Sequence, residues 1–250
     1  MKFETVKNVV ANVPYISVHN AKILYDFIIK NNLTDILELG IAHGTASCYI
    51  AAALDELKAG KLTSVDLLEA KNLFSPSIEE QLSKLQLNNY VEIHRMQTGY
   101  NWYLHEKIKL HSNRENNVCT PQYDLIIIDG PKNWTIDSSS FFLADKLLKE
   151  RGWIIWDDYE WTYNKANSIR ESTDGITHRN LSEEERQIPH IKEIFHLLVM
   201  QHPSYGNFII HSDGDWAWAQ KIQQDTKSIK YTTSKSISSI VIGALKRLKK

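Results

Sequence analysis

Short apolar runs alternate along the chain with stretches of helical spacing. Residues 18–31 place Ile23, Leu24, Phe27 and Ile28 on one helical face, and the Asn31-Asn32 pair marks its end. DILELG follows, a brief apolar run closing on glycine, as a buried parallel strand does. SCYIAAALDELK is rich in helix formers and predicts a helix from about Thr45 to Lys58, stopped at Gly60. KLTSVD reads as a second strand. Ser77 to Leu87 reads as a helix with Ser77 and Glu80 at capping-box spacing, and YVEIHRMQ as a third strand. Beyond a polar loop over 111–122, YDLIIIDG is the strongest strand signal in the chain. Residues 137–149 predict a helix, GWIIWDD a further strand, and residues 189–197 another helix. LLVMQ and NFIIHS then read as an antiparallel strand pair at a sheet edge. Strands alternating with helices imply an α/β fold: a mostly parallel sheet with helices on both faces and an antiparallel edge hairpin.

This pattern divides the chain into an N-terminal helical segment (1–32), a central domain (33–222) and an extension (223–250), with a polar insertion over 160–190 expected to cover the substrate. With 250 residues, 42% apolar and 24% charged, one domain with a real core is affordable. Lys plus Arg is 29 against 30 for Asp plus Glu, which argues against a nucleic-acid-wrapping polycation. Two cysteines, Cys48 and Cys119, cannot staple the fold, so a reducing cytoplasm is the expected location. No run of eighteen or more apolar residues offers a membrane span, and the first ten residues do not read as an export signal.

In an open parallel sheet, ligands bind at the carboxyl ends of the strands. The residues there are Glu38 and Gly40, Asp66, Gln97 and Thr98, Asp129 and Gly130, and Asp157 and Asp158. Acids gathered at one rim repel unless they bind hydroxyls, amines or cations. The first turn, Glu38 to Gly44, has Ala42 where a dinucleotide fingerprint has its middle glycine, and it lacks a phosphate loop's Lys-Ser/Thr pair. It suits an amino-acid zwitterion better than a pyrophosphate. Asp66, 26 positions after Gly40 at the next strand end, is placed to accept from ribose hydroxyls.

E38-L-G-I-A-H-G44, Asp66, D-L-I-I-I-D129-G130 and G152-W-I-I-W-D157-D158 together resemble a class I S-adenosylmethionine-dependent methyltransferase over about residues 33–160. Within that class the chain is most similar to the metal-dependent sugar and small-molecule O-methyltransferases grouped with the macrolide and aminocoumarin sugar methyltransferases and the cephalosporin hydroxylase-associated family. The pair I-D-G and, 28 positions later, D-D is its most specific part. The run from Asp129 to Lys149 resembles a subset found with bacterial polysaccharide biosynthesis.

The resemblance implies a Rossmann-like class I methyltransferase fold with S-adenosyl-L-methionine held by Glu38, Gly40, His43, Gly44, Asp66, Gln97, Thr98 and Asp129. It implies Mg²⁺ or Mn²⁺ on Asp129, Asp157 and Asp158, hard oxygen ligands suited to such ions. The expected activity is O-methylation of a small molecule, most simply a sugar or a nucleotide-linked or capsule-type carbohydrate. Where relatives carry an acid or a histidine after the strand-end acid, this chain has Pro131, Lys132 and Asn133. The proton acceptor is therefore sought in Lys132 with a depressed pKa, or in His178 or His202 from a covering loop; Asp129, Lys132 and His202 form the catalytic set.

Tyr159, Trp161 and Tyr163 offer an aromatic wall for a sugar or ring, with loop packing the equal alternative, while Trp156 is expected in the core. Trp216 and Trp218 read as core or dimer contact. The tail carries Lys227, Lys230, Lys235, Lys246, Arg247, Lys249 and Lys250 with no acid after Asp225, and apolar residues at helical spacing. A helix docked on its own domain or on a homodimer mate is the first expectation, peripheral contact with an anionic membrane the second. Two other functions compete: an NAD-dependent oxidoreductase, against which the missing glycine and acid-rich rim count, and a non-catalytic protein that keeps the fold.

Overall fold

The structure is a computed structural model, and it describes residues 2–113, 115, 118–165, 181–211 and 215–222. Helices α1 (Lys2–Val10) and α2 (Val18–Asn31) precede strand β1 (Asp35–Leu39). Then come α3 (Thr45–Leu57), β2 (Lys61–Leu67), α4 (Ile78–Leu85), β3 (Val91–Met96) and α5 (Tyr100–His111). A two-strand hairpin, β4 (Ser112–Asn113) and β5 (Val118–Cys119), leads into β6 (Tyr123–Ile128), α6 (Trp134–Leu147) and β7 (Leu148–Asp157). Helices α7 (Glu183–Gln187) and α8 (His190–Ile194) are followed by β8 (Tyr205–Ile210) and β9 (Trp216–Lys221).

Seven strands form one sheet in the order β3-β2-β1-β6-β7-β9-β8. The first five run parallel, and β9 enters antiparallel between β7 and β8. The mostly parallel sheet and its edge hairpin are as the sequence pattern implies. The α/β expectation is met because β1 and β6 are buried on both faces and read as continuous apolar runs. One layer of α1, α2, α3 and α4 packs on one face around Val10, Ile28 and Ile50; the other face carries α5, α6 and α8 around Leu104, Phe141 and Ile194.

Two local expectations change, and one helix appears where the sequence pattern predicts none. LLVMQ is not a strand: Phe195–Val199 continues α8 as a π-helical turn, burying Phe195 and Val199, and the partner of β8 is β9. Helix α6 begins three residues earlier than the pattern places it, because the Asn133 side chain accepts from the backbone N–H groups of Thr135 and Ile136. Helix α5 occupies a stretch with no clear apolar stripe, where Tyr100, Tyr103 and Leu104 are buried among mostly polar neighbours. The α4 capping box between Ser77 and Glu80 is present in both directions. The basic tail, His178 and much of the 160–190 insertion lie outside the described residues. Among the described residues no helix is long and apolar enough to cross a membrane.

Strand order reverses between β1, which pairs with β2 on one side and β6 on the other. Connections leave this pair in opposite directions, so a crevice opens at the carboxyl ends of β1 and β6. That crevice positions the site.

Candidate active site

The floor of the crevice is the turn from Glu38 to Gly44. Gly40 sits at φ +102°, and a Cβ there would lie 1.9 Å from the Asp129 carbonyl oxygen. Only glycine lets β1 turn this close to the end of β6. The same junction is fixed by Gly40 N donating to Val65 O at 2.9 Å and Asp129 N donating to Leu39 O at 2.8 Å. Gly44 gives close approach to a helix: Ile78 of α4 would collide with any Cβ there.

Glu38 is buried at the end of β1 and accepts from the hydroxyls of Ser47 (2.5 Å) and Ser64 (2.7 Å). Burial dominates, outweighing both hydroxyl donors, and pushes its carboxyl from the usual 4.5 up to about 7. A raised folded-state pKa means the folded chain takes up a proton that the unfolded chain releases. The associated stability is present below about pH 4.5 and lost as pH rises through about 7. Glu38→Gln should therefore flatten this dependence. Urea unfolding at pH 5 and pH 8 should show the wild type losing up to about 3 kcal/mol more than the variant across that interval. Equal pH dependence of both proteins counts against the buried charge.

Asp66 holds the turn from the β2 side. Its Oδ2 accepts from the Ile41 and Ala42 N–H groups at 3.0 and 3.2 Å, and Oδ1 from Leu67 N at 2.7 Å. Arg95, nearly buried on β3, has Nη1 3.8 Å from Asp66 Oδ2. Gln97 and Thr98 are exposed just beyond the β3 end. His43 donates from Nδ1 to the Pro76 carbonyl (2.9 Å) and lies between the rings of Tyr15 and Phe74, at 5.6 and 5.0 Å between centroids. Its ring packs into the wall of the turn.

The second half of the site is acidic. Asp129, Asp157 and Asp158, all half-buried, offer carboxylate oxygens within 4.8 Å of one another. Oxygen donors of this number and spacing fit a hard dication such as Mg²⁺ or Mn²⁺. Lys132 reaches into the same cluster, its Nζ 2.6 Å from Asp129 Oδ1 and 3.1 Å from Asp158 Oδ2. Burial and the neighbouring carboxylates hold Asp129 and Asp157 above the ordinary Asp range. Burial alone would depress the Lys132 ammonium; the charges of Asp129, Asp158 and Asp157 override it and hold it well above the usual lysine value. In this ion-free cluster Lys132 is therefore held as an ammonium, the opposite direction to the depressed lysine that the sequence suggests.

His202 is corrected too. Its ring packs on Phe141 and Tyr205, and its Nδ1 accepts from Ser204 N. Tyr205 pairs with Lys221 and bonds Asp145 near the C-terminal end of α6. This places His202 toward the amino-terminal ends of the parallel strands, away from Asp129. The aromatic wall is likewise reduced: Tyr159 and Tyr163 are buried, and only Trp161 stays partly open. Tyr163 instead donates to the Pro131 carbonyl at 3.0 Å and steadies the loop that carries Lys132.

One contact in the site has no counterpart in the sequence reading. The Trp216 indole N–H donates to Asp157 Oδ1, because β9 pairs Trp216 directly opposite Asp157. A signal existed only in the alternation of DWAWAQK, which marks a strand but not its neighbour.

Residues 37–159 match a family described as a methyltransferase domain. No curated protein matches the chain. Among solved structures, a Staphylococcus aureus protein described as a caffeoyl-CoA O-methyltransferase superposes with TM-score 0.58 at 22% identity, covering 88% of this chain and 92% of that one. An O-methyltransferase from Bacillus cereus, in complex with S-adenosylhomocysteine, gives 0.56 at 19% identity, covering 89% and 90%. TomG from Streptomyces achromogenes, an O-methyltransferase involved in tomaymycin synthesis and solved with S-adenosylmethionine, gives 0.56 at 16% identity, covering 89% and 90%. At these identities the likeness is one of fold.

Proposed function

We propose that the chain, whose residues 37–159 match a methyltransferase domain, transfers a methyl group from S-adenosylmethionine to a hydroxyl oxygen of a small molecule with the help of a divalent cation. A sugar or a nucleotide-linked carbohydrate intermediate is the acceptor class we favour. The observation that carries this reading is the meeting of the Gly40 turn with the Asp129–Asp157–Asp158 cluster. Contact between Gly40 and the Asp129 backbone makes them one site. The oxidoreductase alternative has no support beside a methyltransferase domain.

In this proposal Gly40, Gly44 and the N-terminal end of α3 receive the methionine part of the donor, with Glu38 fixing the turn from beneath. Asp66 has lone pairs left for ribose hydroxyls after bonding the turn, and Gln97 and Thr98 border the adenine side. Asp129, Asp157 and Asp158 would hold Mg²⁺ or Mn²⁺ together with the acceptor oxygen. When bound, the ion would lower the pKa of the acceptor hydroxyl, whose proton is released to solvent as the oxygen takes the sulfonium methyl and S-adenosylhomocysteine leaves. Trp216 fixes the Asp157 carboxylate, and the rim orients the oxygen toward the donor methyl while excluding water. Trp161 is the aromatic face left for a sugar ring.

The test is incubation of labelled S-adenosylmethionine with sugar and nucleotide-sugar pools, followed by mass spectrometry. Label should appear on an acceptor oxygen, vanish in EDTA and return with Mg²⁺ or Mn²⁺. Full transfer in chelator removes the cation from the mechanism.

A further inference from the structure

We propose that the Lys132 ammonium is the built-in counter-cation of the Asp129–Asp157–Asp158 cluster, and that a divalent cation enters the site by displacing it. The inference rests on the proposed cation site, and it concerns what that site does before the ion arrives. The ammonium bridges Asp129 Oδ1 and Asp158 Oδ2, two of the three carboxylates whose oxygens converge there. A dication draws such oxygens to roughly 2.1–2.6 Å from itself. Its centre then falls in the space that the lysine nitrogen holds, and the two like charges oppose each other at short range.

Backbone geometry supports a held lysine rather than a surface one. Lys132 has φ 60° and Asp158 φ 57°, left-handed conformations that non-glycine residues adopt at a cost. The loop that carries Lys132 into α6 is pinned on both sides. Tyr163 bonds the Pro131 carbonyl, and Asn133 N donates to the buried Asp137 carboxylate at 2.7 Å. With the backbone fixed, the side chain is the part that swings. The device lets three acids stay close in the ion-free protein. It also favours dications, because a monovalent ion gains no charge by replacing an ammonium.

Two measurements test this on the full chain. Pulse acylation with acetic anhydride, read by mass spectrometry of the Lys132 peptide, compares the wild type with and without saturating Mn²⁺. Calorimetric titration with Mn²⁺ compares the wild type with K132M. We expect Lys132 labelling to rise at least about tenfold on Mn²⁺ binding, and K132M to bind Mn²⁺ at least about tenfold more tightly. Wild-type Mn²⁺ binding with Lys132 labelling unchanged overturns the displacement and leaves the cation site standing. Mn²⁺ bound by K132M but not by the wild type overturns the displacement and removes the ion from the proposed reaction. No Mn²⁺ binding by either protein overturns both.

Discussion

Replacing Gly40 by alanine should abolish donor binding and cost roughly 4 kcal/mol of stability. The added methyl would sit 1.9 Å from the Asp129 carbonyl oxygen, a backbone atom with no rotamer to change. Its φ of +102° is also strained for any L side chain. Relief requires β1 and β6 to part where Asp129 N bonds Leu39 O. That movement separates the Glu38–Gly44 turn from the acid cluster, so fold and site fail together. Urea unfolding reads the first effect and calorimetry with S-adenosylhomocysteine the second. A variant of wild-type stability that binds S-adenosylhomocysteine normally refutes the close junction.

Asp157→Asn separates stability from activity, and in opposite directions. Asparagine keeps the shape and can still accept from the Trp216 indole. It removes one negative charge from a half-buried trio in which burial and the charges of Asp129 and Asp158 already disfavour the ionised form. A raised carboxyl pKa contributes stability at acid pH that is lost as pH rises above the unfolded value. At pH 8 the wild type therefore carries the full cost of this charge, and the variant does not. In the ion-free protein the variant should be as stable as the wild type, or more so by about 1 kcal/mol. Methyl transfer should nevertheless fall on the order of 10³-fold, the loss expected when several kcal/mol of metal-assisted stabilisation disappear. Opposed signs of this kind mark a residue selected for chemistry over stability. Unchanged turnover in the variant takes Asp157 out of the reaction.

The strand-end acids were legible because burial and alternation announce the strands themselves. Ile36, Leu37 and Leu39, and the run Leu125 to Ile128, are apolar on both faces and can only be interior segments of a parallel sheet. Once the strands are known, the rim follows from chain direction. Helix α5 was not legible: its buried residues Tyr100, Tyr103 and Leu104 are scattered among polar ones, so tertiary packing rather than periodicity makes it a helix. LLVMQ misleads for the converse reason, since a short apolar run looks alike in a strand and in a buried helical turn. Within the site, residue types were legible and partners were not. Lys132 stands three positions from Asp129, yet its engagement depends on a left-handed backbone that no propensity of lysine foretells. His202 drew attention as a titratable group in a covering loop, and packing against Phe141 and Tyr205 accounts for it instead.

The antiparallel entry of β9 carries a consequence for what counts as a unit. The match to the methyltransferase domain ends at residue 159, but the indole that bonds Asp157 arrives from residue 216, after the chain has left the sheet and returned. A fragment trimmed to the matched domain would keep all three strand-end acids and lose the indole that bonds one of them. A strand that joins the sheet late in this way ties the carboxyl-terminal part of the polypeptide to the rim formed by its middle.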